Sequence, residues 1–191
     1  MPRIDSEKFY TSAIEMHGTT AKGVNWTSKE TQEIRFDMIL KMLPQKIDLI
    51  VDAGCGFGDF YTYMRKKKRE PKKYIGIDSL IDMYSIASNK TAQEIIIADI
   101  TKDEIPHANY YVCSGAMNVL DRFETYLFIR NCFLACEDGF IFNILHGEDK
   151  SETYNYFSTS EIQNIAKELK VKKVIFKDGY MENDITVGFF K

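Results

Sequence analysis

Short apolar runs alternate along this chain with segments whose apolar residues recur at helical intervals. Residues 47–51, 73–78, 94–100, 109–115 and 140–145 are brief and rich in isoleucine, valine and aromatic residues, so each predicts a strand. Residues 59–67 and 123–136 carry the helical pattern, as do residues 160–169, for which Ser158 is the candidate cap. Strands alternating with helices predict a parallel sheet covered on both faces. The chain ends differently: residues 171–177 and 184–190 are two strands separated only by Asp178-Gly179-Tyr180-Met181-Glu182-Asn183. A link that short cannot cross over to a parallel neighbour and requires an antiparallel hairpin.

Thr27-Ser28-Lys29-Glu30 has the form of a capping box and predicts a helix running to about Met42, stopped by Pro44. Ile34, Met38 and Leu40 to Leu43 give that helix an apolar side to set against the sheet. The segment before it, from Phe9-Tyr10 to Trp26, mixes aromatic, polar and glycine residues and suits a lid. At 191 residues the chain holds one core. The expectation is a single domain over 1–191, with a helical lid in 1–43 and a ligand-binding core in 44–191.

A net charge of −3 and a pI near 5.7 provide no global attraction for nucleic acid or an anionic membrane. No apolar run approaches the ~20 residues that span a bilayer, and residues 1–8 lack the apolar core of a secretory signal. Cys55, Cys113, Cys132 and Cys136 form no C-x-x-C pair, which suits a reducing cytoplasmic setting. No metal site is expected, since none of the three histidines neighbours Cys132 or Cys136. Oligomeric state is not legible.

Directly after the first apolar run stands Asp52-Ala53-Gly54-Cys55-Gly56-Phe57-Gly58. Glycines at every second position permit a tight turn and close approach of a ligand, and the following helix points free N–H groups into the same space. A dinucleotide fingerprint wants a small residue where this chain has Asp59. The second strand ends at Asp78, near the ~20-residue offset at which an acid meets ribose hydroxyls; its charge disfavours a 2′-phosphorylated nucleotide.

The string D-x-G-x-G-x-G resembles motif I of the class I S-adenosylmethionine-dependent methyltransferases. Three further segments fall in that family's order: residues 73–78, 94–100 and 109–115, the last resembling motif IV. The resemblance covers about residues 45–191. It implies a Rossmann-like α/β three-layer sandwich whose seven-stranded, mostly parallel sheet has the order 3-2-1-4-5-7-6 with the antiparallel C-terminal hairpin. It implies S-adenosyl-L-methionine as cofactor, held by Asp52, Gly54, Gly56, Gly58, Asp78, Asp99, Ile100 and Ser114. In that family Asp99, with the backbone of Ile100, meets the adenine edge. Arg35 and Gln32 are candidates for the methionine carboxylate, with a helix-surface ion pair as the plainer role for Arg35.

Methyl transfer from a sulfonium demands alignment and a dry pocket above all, so no universal catalytic residue is expected. His146, after the fifth strand, is a candidate base, and Asn118 is a candidate to orient the acceptor or cap a helix. Tyr154-Asn155-Tyr156-Phe157 either line an acceptor pocket or pack the loop before the last helix. The N-P-P-Y-type motif of amino-group methylation is replaced by Ser114-Gly115-Ala116-Met117, which argues against DNA. Residues 65–73 hold seven basic side chains, yet their link from helix to second strand puts them at the strand N-termini, away from the cofactor. The resulting expectation is a methyltransferase of a small molecule, with no DNA or membrane partner and with RNA disfavoured. An RNA or protein methyltransferase, a non-catalytic S-adenosylmethionine-binding protein and a nicotinamide dehydrogenase stay open as alternatives.

Overall fold

A computed structural model describes residues 5–147 and 151–191. The helices are α1 (Ser6–His17), α2 (Lys29–Met42), α3 (Asp59–Lys66), α4 (Ile81–Thr91), α5 (Arg122–Ala135) and α6 (Thr159–Glu168). The strands are β1 (Leu49–Ala53), β2 (Lys73–Asp78), β3 (Glu94–Ile97), β4 (Ala108–Ser114), β5 (Cys136–Leu145), β6 (Lys173–Lys177) and β7 (Asp184–Phe190). They form one seven-stranded sheet in the order β3-β2-β1-β4-β5-β7-β6. β1 to β5 pair in parallel, while β7 runs antiparallel to both β5 and β6.

The period-two alternation of each strand divides the core into two slabs. On one face, Val51, Ile75, Tyr111, Cys113, Phe140 and Phe142 meet Phe128, Ile129 and Phe133 of α5 and Ile162 of α6. On the other, Ile50, Tyr74, Val112 and Ile141 meet Phe36, Ile39 and Leu40 of α2, Phe60 and Met64 of α3, and Ala87 of α4. Helices thus cover both faces of the sheet. The chain switches faces between β3 and β4, leaving a crevice beyond the carboxyl ends of β1 and β4, where open α/β sheets bind ligands.

Element ends shift by a residue or two in several places, and four differences from the sequence expectation bear on the site. β3 stops at Ile97, because its only neighbour is β2 and the register ends at Asp78 opposite Ile97; Asp99 therefore belongs to the turn that follows. β5 begins at Cys136, immediately after α5. The cap of α2 is Ser28, with Thr31 rather than Glu30 as its reciprocal partner. The buried face of α2 is Gln32, Arg35, Phe36, Ile39 and Leu40, whereas Ile34 is 39% exposed. Phe36 and Ile39 set the rotation of the helix because they fit against α3 and the sheet. Within the stretch 5–43, α2 packs as a layer of the sandwich, while α1 and residues 24–27 border the crevice. Residues 1–4 of the expected lid fall outside the described residues. No helix among the described residues is long and apolar enough to cross a membrane.

Candidate functional site

The crevice is a cavity of about 800 Å³. Its floor is built from four strand ends: Gly54, Cys55 and Gly56 after β1, Asp78 and Leu80 at β2, Asp99 and Ile100 after β3, and Ser114 to Ala116 after β4. Asp5, the N-cap of α1, with Glu7, Phe9 and Tyr10 of that helix, Trp26, Glu124 of α5, Tyr154 and Tyr156 complete the lining.

The glycine turn closes tightly onto the sheet. The N–H groups of Gly54 and Cys55 both donate to the Ile77 carbonyl, at 2.8 and 3.0 Å. A Cβ on Gly54, whose φ is +73°, would stand 2.3 Å from the Ala116 Cβ, so this glycine lets the β1 turn and the β4 loop meet. Gly58 serves another purpose. It is the N-cap of α3 and does not line the cavity; a Cβ there would lie 2.4 Å from Cγ2 of Thr91 in α4. The third glycine of the motif thus faces helix packing.

Asp78 connects this turn to the second strand. Its Oδ2 accepts from the Gly56 N–H at 2.9 Å and its Oδ1 from the Leu80 N–H at 3.1 Å. Burial pushes the carboxyl up to about 6, although the backbone donors oppose the rise. Asp52, buried on β1, accepts the Tyr74 hydroxyl at 2.7 Å. Burial raises it to about 7, against the pull of Tyr74 and with help from the neighbouring Asp78. Asp99 is bound within its own turn: Oδ1 accepts from Thr101 N–H at 2.9 Å and Oγ1 at 2.6 Å, and Oδ2 from Lys102 at 2.6 Å. Partial burial raises its carboxyl, but Lys102 and Thr101 outweigh that and hold it below the ordinary range. Ile100 is buried at the cavity edge, its carbonyl fixed by Asn131 Nδ2 at 2.8 Å.

Ser114 begins a buried polar chain that local sequence reading missed. Its Oγ donates to Asn143 Oδ1 at 2.9 Å, Asn143 Nδ2 donates to Thr186 Oγ1 at 2.6 Å, and that hydroxyl donates to Tyr180 at 2.8 Å. The Tyr180 hydroxyl donates to Asp184, which pairs with Arg35. Arg35 lines the cavity, but its guanidinium is taken by Asp184 and lies over the Trp26 ring, 4.4 Å from the centroid. Arg35 is thus a buried ion-pair partner at the cavity wall, where the plainer expectation for it was a solvated or salt-bridged helix residue. Gln32 donates to Asp59 Oδ2 at 3.4 Å. The signal for this chain was a single polar residue amid each of two apolar strands, Asn143 and Thr186, which stand opposite each other in the β5–β7 register.

His146 does not line the cavity. Its Nε2 lies 3.0 Å from Thr159 Oγ1, toward α6, because the bridge to Phe157 turns this residue away from the crevice. In this arrangement the candidate base makes a contact between the end of β5 and α6. Asn118 does line the cavity, yet its Oδ1 accepts from the Leu145 N–H at 3.3 Å and its carbonyl from Asn155 N–H at 2.8 Å, tying the β4 loop to the wall. Of the aromatic stretch, Tyr154 and Tyr156 face the cavity while Asn155 and Phe157 are buried. No cluster of metal-ligating side chains occurs among the described residues.

The basic segment lies at the opposite end of the sheet. Arg69 donates to the carbonyls of Leu43 and Pro44 at 3.2 and 2.9 Å, closing the end of α2. Lys66, Lys72 and Lys73 pair with Glu33, Asp48 and Glu94.

No protein-family model matches the chain, and no curated protein matches its sequence. Its structure resembles that of magnesium protoporphyrin IX methyltransferase from Synechocystis PCC 6803 with bound SAM. The TM-score is 0.70 at 11% identity, over 100% of this chain and 99% of that one. Human N-acetylserotonin methyltransferase in complex with SAM matches at a TM-score of 0.73 and 12% identity, over 98% of this chain and 60% of the human protein. A putative S-adenosylmethionine-dependent methyltransferase from Listeria monocytogenes matches at 0.62 and 16% identity, over 84% of this chain and 99% of that one. The strand order and these likenesses agree: the chain has the fold of the class I S-adenosylmethionine-dependent methyltransferases.

Proposed function

We propose that this chain is an S-adenosylmethionine-dependent methyltransferase acting on a small molecule. The observation that carries the reading is the joined glycine turn and acid: Asp78 at the end of β2 holds the Gly56 N–H while facing the cavity beyond β1 and β4. These residues fit the cofactor. Asp78 offers acceptor lone pairs to ribose hydroxyls, Gly54 and Gly56 leave backbone without side chains beside the methionine portion, and Ile100 with Asp99 borders the adenine position. When bound, the cofactor supplies an electrophilic sulfonium methyl group. The chain's own residues orient and desolvate: the polar chain behind Ser114 fixes the β4 loop, and α1 with Tyr154 and Tyr156 screens the cavity from water.

The roof supports a small acceptor over RNA or a protein segment, since a polymer needs an open edge beside the reacting methyl. The basic residues that would hold phosphates are at the other end of the sheet and partly paired. Four free, buried cysteines support action in a reducing, cytoplasmic compartment.

Calorimetric titration with S-adenosylhomocysteine and, separately, NADH tests the reading. The expected result is binding of the first alone, weakened about 10–100-fold by Asp78→Ala through loss of charge-assisted hydrogen bonds. Binding of NADH alone would overturn it.

A further inference from the structure

The buried polar chain behind Ser114 can run in only one direction, and we propose that it is a relay of hydrogen-bond polarity. The Arg35–Asp184 pair acts through Tyr180, Thr186 and Asn143 to hold Ser114 as an acceptor toward the cavity, where it selects the ammonium group of the cofactor's methionine portion. This inference rests on the S-adenosylmethionine reading.

Strand register lays the chain out. Ser114 of β4 stands opposite Asn143 of β5, and Asn143 opposite Thr186 of β7. Asp184 lies next but one to Thr186 on β7, and so on the same sheet face. α2 covers that face and brings Arg35 to Asp184. Asn143, Thr186 and Asp184 are 1, 0 and 3% exposed, so each depends on its neighbours in the chain for partners.

The direction follows from which groups carry protons. Arg35 has donors only, and the carboxylate it pairs with has acceptors only. Burial raises the Asp184 carboxyl, against the pull of Arg35 and Tyr180. Arg35 takes Oδ2, and the Tyr180 hydroxyl spends its single proton on Oδ1, at 2.5 Å. Tyr180 oxygen is then an acceptor, so Thr186 donates to it, at 2.8 Å. Thr186 oxygen in turn accepts from Asn143 Nδ2 at 2.6 Å, and the same Nδ2 lies 3.5 Å from the Tyr180 hydroxyl. The amide is thereby oriented, with Nδ2 toward β7 and Oδ1 toward β4. Ser114 must give its proton to that Oδ1, at 2.9 Å, which leaves its oxygen lone pairs for the cavity it lines.

The place of Ser114 identifies what it meets. A Cβ on Gly54 would touch Ala116, just beyond Ser114, so the β4 loop and the glycine turn enclose one space. The ribose and adenine donors belong to the ends of β2 and β3, and the methionine portion to this space. Its polar groups there are a carboxylate and an ammonium, and only the ammonium donates. A serine free to turn its proton would serve both groups alike, whereas one locked as an acceptor favours the ammonium with a charge-assisted hydrogen bond. Arg35, Asp184, Tyr180, Thr186 and Asn143 are thus positioning residues. Asn143, Thr186 and Tyr180 do not line the cavity.

Three ligands separate a relay from a scaffold: S-adenosylhomocysteine, the same molecule without its amino group, and methylthioadenosine, which lacks the amino-acid portion. The wild-type protein should prefer the first over the second about tenfold or more, as expected of a hydrogen bond to a charged group. Ser114→Ala should reduce that preference several-fold. Tyr180→Phe keeps the ring and removes the hydroxyl, so that Thr186 turns its proton to Asn143, the amide reverses and Ser114 points its own proton at the ammonium. The preference should then fall at least as far as in Ser114→Ala. Thr186→Val, which cuts the same link, should act in the same direction, and Thr186→Ser, which keeps the hydroxyl, should retain the wild-type preference. Methylthioadenosine should bind all five proteins equally. No wild-type preference, a preference unmoved by Ser114→Ala or by both Tyr180→Phe and Thr186→Val, its loss in Thr186→Ser, or a loss shared by all three ligands overturns the relay and leaves the cofactor reading intact. Failure of S-adenosylhomocysteine to bind the wild-type protein overturns both.

Discussion

Asp78 lines the cavity with the same carboxylate that holds the glycine turn, and this makes its protonation informative. Burial raises it to about 6, above the value near 4 of an unfolded aspartate. The protonated form is thus favoured in the folded chain, and the group's contribution to stability is fullest below about pH 4 and declines as pH rises toward 6. A ligand that donates hydroxyls to the ionised carboxylate draws the value back down. S-Adenosylhomocysteine binding near pH 6 should therefore release a fraction of a proton per site, and Asp78→Asn should remove that release. Calorimetry in two buffers of different ionisation heat reads it directly; proton uptake would show that the ligand does not engage the ionised acid. Gly58 gives a contrasting test. Its φ is +72° and Thr91 occupies the space of a Cβ, so Gly58→Ala should cost about 1–3 kcal/mol in urea unfolding through strain between α3 and α4.

Among elements, the telling link is between α2 and β7, made by Arg35 and Asp184, whose side chains are 9% and 1% exposed. Asp184→Asn leaves a buried guanidinium without its counter-charge, and a loss of about 3–5 kcal/mol is expected in chemical denaturation. The double change Arg35→Met with Asp184→Leu should recover most of that loss, because apolar side chains of similar volume need no partner. The pair Arg122–Glu161, about half exposed on both sides, should by contrast change stability by less than about 1 kcal/mol when broken. Sequence reading fared unevenly at this scale for a physical reason. Strands and hairpin were legible because alternation and link length are local properties. The rotation of α2 was not: Ile34 is more apolar than Arg35, yet Arg35 is buried because its partner lies 149 residues away on β7. The capping shift from Thr27 to Ser28 was equally hidden, since both hydroxyls suit the cap and Thr31 serves Ser28 as reciprocal partner as well as Glu30 would serve Thr27.

At the scale of the whole molecule, the two halves of the cavity differ in how they are encoded and in how firmly they are held. The floor of the cavity draws on turns directly after β1, β2, β3 and β4, so each contribution followed a recognisable strand in the sequence. The rest of its lining comes from α1, the start of α5 and residues 154–156, segments that no local pattern relates, and its acidic side chains Asp5, Glu7 and Glu124 went unread. The halves should also differ in stability. α1 has 12 residues, a length marginal for an isolated helix. Among its described side chains only Ala13 is buried, while Phe9 and Tyr10 line the cavity. Its order therefore depends on the rings beneath it, Tyr154 among them. Local opening of such an element should lie far below global unfolding. In hydrogen-exchange mass spectrometry the α1 amides of the free protein should exchange at least about tenfold faster than those of β1, β4 and β5. Saturation with S-adenosylhomocysteine should slow α1 selectively, because a ligand seated on Asp78 fills the space under Tyr10. Slow exchange of α1 in the free protein, unchanged by ligand, would instead make the roof a fixed part of the fold and require another route for acceptor entry.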